Sequence, residues 1–327
     1  MLLTKMRREV TSALLCGRQC LGSSGRVSMH SSFLNKPKRF FHASGAARLA
    51  QPPQQSKQEG EEAEELVTVE RDQRDAHVAI VHLNRPHKLN ALTVELGETF
   101  QAKMAALRAE GEASRLRCVV LTGRGKAFSA GGDLDFLWKR TESEAVENTA
   151  TMLQFYKRFL SMRDLPVPVV SAINGAAVGA GLCLAMATDI RIASEDAILS
   201  CNFAKLGLHP GLAATHFMPL IVGPQVAASL LYTGKNITGA EAKRYGLVLD
   251  AVPRAQVMEE ALKLAREIAA SSPSAVRLLV RTLRTKQNEG LERALTREAD
   301  GQAHSYASAD LKEGLQAIAE KRKPIFL

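Results

Sequence analysis

Residues 173–185, INGAAVGAGLCLA, run from an apolar strand into a helix with almost no side chain between them. Nothing bulkier than a methyl stands at 175–177 and 179–181, so the backbone there is open to close approach. The same feature lets N–H groups approach a ligand oxygen, and the helix that follows adds the positive end of its dipole. A second small-residue loop, Lys126-Ala127-Phe128-Ser129-Ala130-Gly131-Gly132-Asp133-Leu134, stands upstream, directly after a strand expected over 116–121. Two loops of this kind can each offer one amide to a single oxyanion. Taken alone, either reads as well as a tight turn. A nucleotide loop is excluded, because Gly123-Arg124-Gly125-Lys126 lacks the Walker spacing and 175–181 is not a dinucleotide fingerprint.

The formal charge of +9 is a property of one end of the chain. Residues 1–50 carry nine Lys or Arg against Glu9 alone, a net +8 that leaves +1 for the remainder and no case for a nucleic-acid-binding core. This end is rich in Arg and Ser, poor in acids, and opens with a segment able to wind into a basic amphipathic helix, the pattern of a mitochondrial presequence. A basic tail without a targeting role and a plastid address stay open. Residues 51–65 read as a polar linker. Beyond the tail the cysteines are Cys118, Cys183 and Cys201, an odd set in apolar contexts that suits a reducing compartment such as the matrix. No apolar run reaches the roughly 18 to 20 residues of a membrane span, and no His, Cys or acid spacing indicates a metal.

Periodicity places strands at 66–69 and 77–83, then a helix over 94–107 with Leu96, Phe100, Met104 and Leu107 on one face and Thr93 as N-cap. Met152, Phe155, Phe159 and Met162 mark another helix, stopped by Pro166, and 167–173 is a buried strand. Strands are expected at 190–193, 197–201 and 247–252. Helical stretches are expected from 215 through 226–232, over 240–245 and from 253 to 321.

The two loops in this order, with Leu83-Asn84-Arg85-Pro86-His87-Lys88-Leu89-Asn90-Ala91-Leu92, Leu206-Gly207-Leu208-His209-Pro210-Gly211, Thr233-Gly234-Lys235, Gly246-Leu247-Val248 and Glu320-Lys321-Arg322-Lys323-Pro324, resemble the crotonase (enoyl-CoA hydratase/isomerase) superfamily over 66–327. The resemblance implies an α/β fold, a spiral of ββα units over 66–265 followed by a helical oligomerisation region over 266–327, assembled as a homotrimer or homohexamer. It implies an acyl-CoA thioester substrate, with coenzyme A carried by that substrate and no separate cofactor. By residue-level match, the oxyanion donors are the backbone amides of Gly132 and Ala180. The matched substrate-binding positions are Arg85, Lys88, Ala91, Lys126, Ala127, Phe128, Ala130, Gly179, Cys183, Phe203 and Phe326, with Lys321 and Lys323 as further candidates for the nucleotide.

One departure decides how much chemistry follows from this likeness. Hydratases of the family carry glutamates at the positions held here by Cys183 and Phe203, and isomerases keep the second of them. A phenyl ring exchanges no proton, and a thiol in an apolar setting stays neutral. General acid–base catalysis is typically worth about 100- to 10,000-fold per group. His209 is the best-placed substitute by residue type. Asp133 is expected chiefly to cap the next helix, and Glu142, Glu144 and Glu147 to form a solvated face. Trp138, Phe136 and Leu137 are candidates for the acyl pocket or the core. Three functions follow: enolate chemistry on an enoyl-CoA with other acid–base groups, decarboxylation or thioester hydrolysis on the same fold, and acyl-CoA binding without turnover.

Overall fold

A computed structural model describes residues 65–326; the expected presequence at 1–50 and nearly all of the linker lie outside them. Ten strands form two sheets: β1 (Val67–Arg71), β2 (Val78–Leu83), β3 (Cys118–Gly123), β4 (Ala127–Ser129), β5 (Val169–Ile173), β6 (Ala176–Val178), β7 (Ile190–Ser194), β8 (Ile198–Ser200), β9 (Ile237–Thr238) and β10 (Asp250–Val252). The larger sheet has the order β1-β2-β3-β5-β7-β10, the smaller β4-β6-β8-β9. Among the described strands only the β1–β2 and β8–β9 pairs are antiparallel. The spiral is visible in this order. Each of the pairs β3/β4, β5/β6 and β7/β8 gives its first strand to one sheet and its second to the other before the chain returns through helix.

Continuous apolar runs in β2 and β3 reflect burial on both faces. Ala79, Val81, Leu83, Val119 and Leu121 join the main core. Alternate residues Val78, Ile80, Cys118 and Val120 instead meet a helix that also contributes Ala261, Leu262 and Ala265. The first helix, α1 (Val94–Glu112), buries the expected stripe, and the Leu96 amide donates to Thr93 Oγ1 at 3.2 Å. Next come α2 (Leu134–Arg140), α3 (Ala145–Leu160) and α4 (Ala180–Met186).

The helix expected from 215 into 226–232 is two, α5 (Ala214–Val222) and α6 (Pro224–Thr233), because Gly223 has φ 77° and Pro224 cannot continue the hydrogen-bond ladder. After α7 (Gly239–Arg244), the strand expected over 247–252 shortens to β10; Leu247 and Val248 turn into the core instead. Four helices end the chain: α8 (Val257–Ala270), α9 (Pro273–Gln287), α10 (Leu291–Tyr306) and α11 (Ala309–Ala319). The boundary expected at 265/266 falls inside α8, which is the helix covering the outer face of the large sheet.

Arg284 fastens α9 to the body. Its Nε donates to Asp189 Oδ1 at 2.9 Å, while its terminal nitrogens reach Asp189 Oδ2 and the carbonyls of Arg163, Leu165 and Val167. Arg284 is only 5% exposed, so losing it strands a carboxylate and several carbonyls. Arg284→Ala is expected to lower the unfolding free energy by about 3 kcal/mol or more, read by urea titration. Arg284→Lys should restore only part of it, because one ammonium cannot span these acceptors.

Candidate active site

Both small-residue loops come to one place, and the backbone shows why. Ser129 ends β4 and its hydroxyl donates to the Asn90 carbonyl at 2.8 Å while accepting from the Gly131 amide at 3.2 Å. Asn90 is itself fixed: its side-chain amide donates to the carbonyls of Arg124 and Ala127, and its Oδ1 accepts from the Arg85 amide. Gly181, in the first turn of α4, rests on Ser129 so closely that a Cβ there would stand 2.5 Å from the Ser129 carbonyl oxygen. Gly131, at φ 96°, rests on the other loop, where a Cβ would stand 2.6 Å from the Val178 oxygen and 3.5 Å from the Ala180 nitrogen.

Among the described residues the two expected donors have no partner. Leu92 pairs with Gly132 in an isolated parallel bridge: the Leu92 amide donates to the Gly131 carbonyl and the Asp133 amide donates to the Leu92 carbonyl. That pattern uses the residues on either side and turns the Gly132 N–H to the opposite edge. Ala180 is the first residue of α4, where an amide has no intrahelical acceptor. Both residues line a cavity of about 410 Å³, together with Lys88, Ala91, Ala130, Asp133, Gly179 and Phe203 from the sequence-derived set.

Other expected residues lie elsewhere. Ala127 and Phe128 are buried in β4, and Arg85 donates to the Ala91 carbonyl at 2.9 Å with Asp133 at 3.6 Å. Lys126 is exposed, and its carbonyl accepts from Arg254. Phe326 is 41% exposed and away from the cavity wall, where Ile318 of α11 stands instead. Cys183 lies fully buried behind the wall, its thiol donating to the Gly179 carbonyl at 3.2 Å; burial, then the neighbouring Cys201, pushes it well above the ordinary thiol range.

His209 does not line the cavity. Its ring packs on Gly301 of α10, its Nδ1 lies 2.6 Å from the Pro210 carbonyl, and its amide donates to Ser305 Oγ. Asp133 has the expected capping role, accepting from the Asp135 amide at 3.1 Å. Phe136 and Leu137 line the cavity, whereas Trp138 does not.

The residues that sequence reasoning missed belong to α3 and α10: Tyr156, Gln302 and Tyr306 line the cavity, and Glu298 supports it from behind. Glu298 accepts from the Ala213 amide at 2.7 Å and from the Thr215 amide and hydroxyl at 2.7 and 2.6 Å. It thereby caps α5 and holds Leu212 and Ala213, both in the left-handed region at φ 56° and 61°. Leu212 and Gly211 are cavity wall. Burial raises the Glu298 carboxyl to about 7 against the three donors that lower it. The available sequence signal was an i, i+4, i+8 row of Glu298, Gln302 and Tyr306 beside the small Ala299 and Ala303, a polar stripe on a face otherwise suited to burial.

Comparison with known proteins points one way. A family model described as enoyl-CoA hydratase/isomerase matches residues 73–327. A Thermus thermophilus protein carrying an enoyl-CoA hydratase name is 39% identical over 250 residues, covering 76% of this chain and 97% of its own. The crotonyl-CoA hydratase of Syntrophomonas wolfei is 34% identical over 256 residues, covering 78% and 96%. A crystal structure of an enoyl-CoA hydratase/isomerase from Pseudoalteromonas atlantica superposes with a TM-score of 0.69 at 30% identity, over 80% of this chain and all of that one.

Glu298 makes stability pH-dependent in a defined direction. Its folded pKa is raised from 4.5 to about 7, so its favourable contribution is complete below pH 4.5 and is lost as pH climbs through 7. At 1.36 kcal/mol per unit the change is about 3 kcal/mol. Urea unfolding of wild type and Glu298→Gln at several pH values should show the difference moving in favour of the Gln variant as pH rises. A pH-independent difference contradicts this account.

Proposed function

The chain belongs to the enoyl-CoA hydratase/isomerase family, and from that premise we propose that it seats an acyl-CoA thioester with its carbonyl oxygen between the Gly132 and Ala180 amides. When the α-carbon ionises, or a nucleophile adds to the conjugated alkene, negative charge moves to that oxygen. Two fixed donors stabilise it, and removing one such donor typically costs about 3 kcal/mol of transition-state stabilisation. The observation that supports this reading is the pair of unengaged amides, brought together by the Gly131 and Gly181 contacts beside a cavity.

Hydration or isomerisation, the chemistry that the relatives' names describe, needs proton transfer near the α-carbon. The carboxylates among the described cavity residues are Asp133, which spends Oδ1 on a helix cap, and exposed Asp135. In this reading they would serve where Cys183 and Phe203 cannot. A second reading, decarboxylation, is favoured by that same substitution. A malonyl-type thioester releases CO₂ as its C–C bond breaks, the electron pair remains as the enolate, and one proton then adds to the α-carbon. No base is required in the first step. Acyl-CoA binding without turnover is the third outcome.

We further propose a matrix location directed by the basic, acid-poor residues 1–50 and, following the sequence resemblance, a trimeric or hexameric assembly. The exposed Leu278, Leu279 and Leu283 of α9 offer an apolar face for it. A reporter fused to residues 1–50 that stays cytosolic, or a monomeric mass by light scattering, would refute the respective part.

The purified full chain is to be incubated with crotonyl-CoA and, separately, with malonyl-type CoA esters. Hydration supports the first reading, CO₂ release the second, and tight binding alone the third. No binding of any ester overturns all of them. Ala180→Pro deletes one donor at a helix position that tolerates proline. It should keep its melting temperature and coenzyme A binding while turnover falls about 100- to 1000-fold.

A further inference from the structure

The cavity carries a polar cluster that enolate stabilisation does not use. Tyr156, Gln302 and Tyr306 are 1%, 3% and 0% exposed and face the same space as Met152, Phe155, Leu208 and Leu212. Tyr156 Oη donates to Gln302 Oε1 at 2.8 Å, and Gln302 Nε2 donates to the His209 carbonyl at 2.9 Å. The Tyr306 hydroxyl is less well served. It lies 3.4 Å from Gln302 Oε1, already taken by Tyr156, and 3.4 Å from Met152 Sδ, a weak acceptor.

Phenylalanine at 156 and 306 would keep the same aromatic bulk without the cost of burying hydroxyls, about 1–3 kcal/mol for each left short of partners. The backbone also makes room for the cluster. At Gly211 a Cβ would stand 2.4 Å from Tyr156 Oη and 2.7 Å from Gln302 Nε2. Burial raises both phenols, so both remain neutral donors with oxygen lone pairs to offer. Among the described residues lining the cavity the only cation is Lys88, so the cluster suits an uncharged oxygen better than a carboxylate.

Building on the acyl-CoA reading above, we propose that Tyr156, Gln302 and Tyr306 form a polar acyl subsite that selects thioesters whose acyl tail carries a hydroxyl or oxo oxygen of its own. The tail enters past Gly132 and Ala180, its hydrocarbon part lies on Phe155 and Leu212, and its oxygen takes the unfilled bonding capacity of the two phenols. Selectivity then comes from what an unsubstituted tail leaves unpaired.

The test is equilibrium binding of CoA esters to the full chain, read by calorimetry, with butyryl-CoA, ω-hydroxybutyryl-CoA and succinyl-CoA and the corresponding six-carbon set. Wild type is expected to bind at least one ω-hydroxy ester roughly three- to tenfold more tightly than its plain partner, the span of one net hydrogen bond. Tyr306→Phe and Tyr156→Phe should each shrink that ratio toward one, because the hydroxylated tail loses a partner and the plain tail no longer strands one. Tyr306→Phe, which removes only long contacts, keeps the comparison interpretable should Tyr156→Phe destabilise the fold. Equal affinity for plain and hydroxylated esters in wild type overturns the subsite, as does a ratio untouched by both variants, an equal loss on both esters, or preference for the dicarboxylic esters. Binding without discrimination leaves the oxyanion reading standing, whereas no binding of any ester removes both.

Discussion

The approach of two backbones at Ser129 and Gly181 is the contact on which the site depends. No side chain can occupy that interface, since a Cβ at 181 would meet the Ser129 carbonyl oxygen at 2.5 Å and the Ser129 Cβ at 2.8 Å. The consequence reaches in both directions along the chain. Upstream, Ser129 transmits the position of Asn90 to Gly131; downstream, α4 begins at Ala180 with its amide unpaired. The proposed oxyanion hole would need this rigidity, because main-chain donors must already point at the place where charge will form.

Around that contact the two sheets act as a frame. Each ββ pair delivers one strand to the large sheet and one to the small, so successive turns of the spiral stack β4 beside β6 and β6 beside β8. The loops that follow β4 and β6 are neighbours for that reason, although about fifty residues separate them in the chain. The C-terminal helices then complete the site from the other side. Helix α10 holds residues 209–215 through Glu298, Gln302 and Ser305, and within that segment Gly211 and Leu212 are cavity wall. The helical region is therefore part of the pocket.

Much of this was readable in one dimension. The stripe of α1, the Thr93 and Asp133 caps, the buried strands and both small-residue loops follow from spacing and residue type, which act over a few residues. Errors occurred where local pattern was ambiguous: Gly223-Pro224 splits one expected helix, and Leu247 and Val248 look like strand because they are apolar, yet are buried without pairing. His209 looked chemically useful by type, but its ring is committed to Gly301. Tyr156 and Tyr306 stood outside every motif that the sequence offered. Nothing within their own segments showed that the core has an opening there.

What the amino-acid order determined by itself is the two small-residue loops and the buried face of each element, because glycine and alanine exclude side chains wherever they stand and apolar periodicity selects the face that each element buries; the fold and the two backbone donors followed from the family resemblance that those loops carry. What only the tertiary structure decided is the furnishing of the cavity: which carboxylate caps α5, which histidine is spent on packing, and that two phenols and an amide from α3 and α10 meet. Those groups are far apart in sequence, and their protonation and unused hydrogen-bonding capacity depend on burial and partners supplied by other elements. Such properties exist only once the chain is folded.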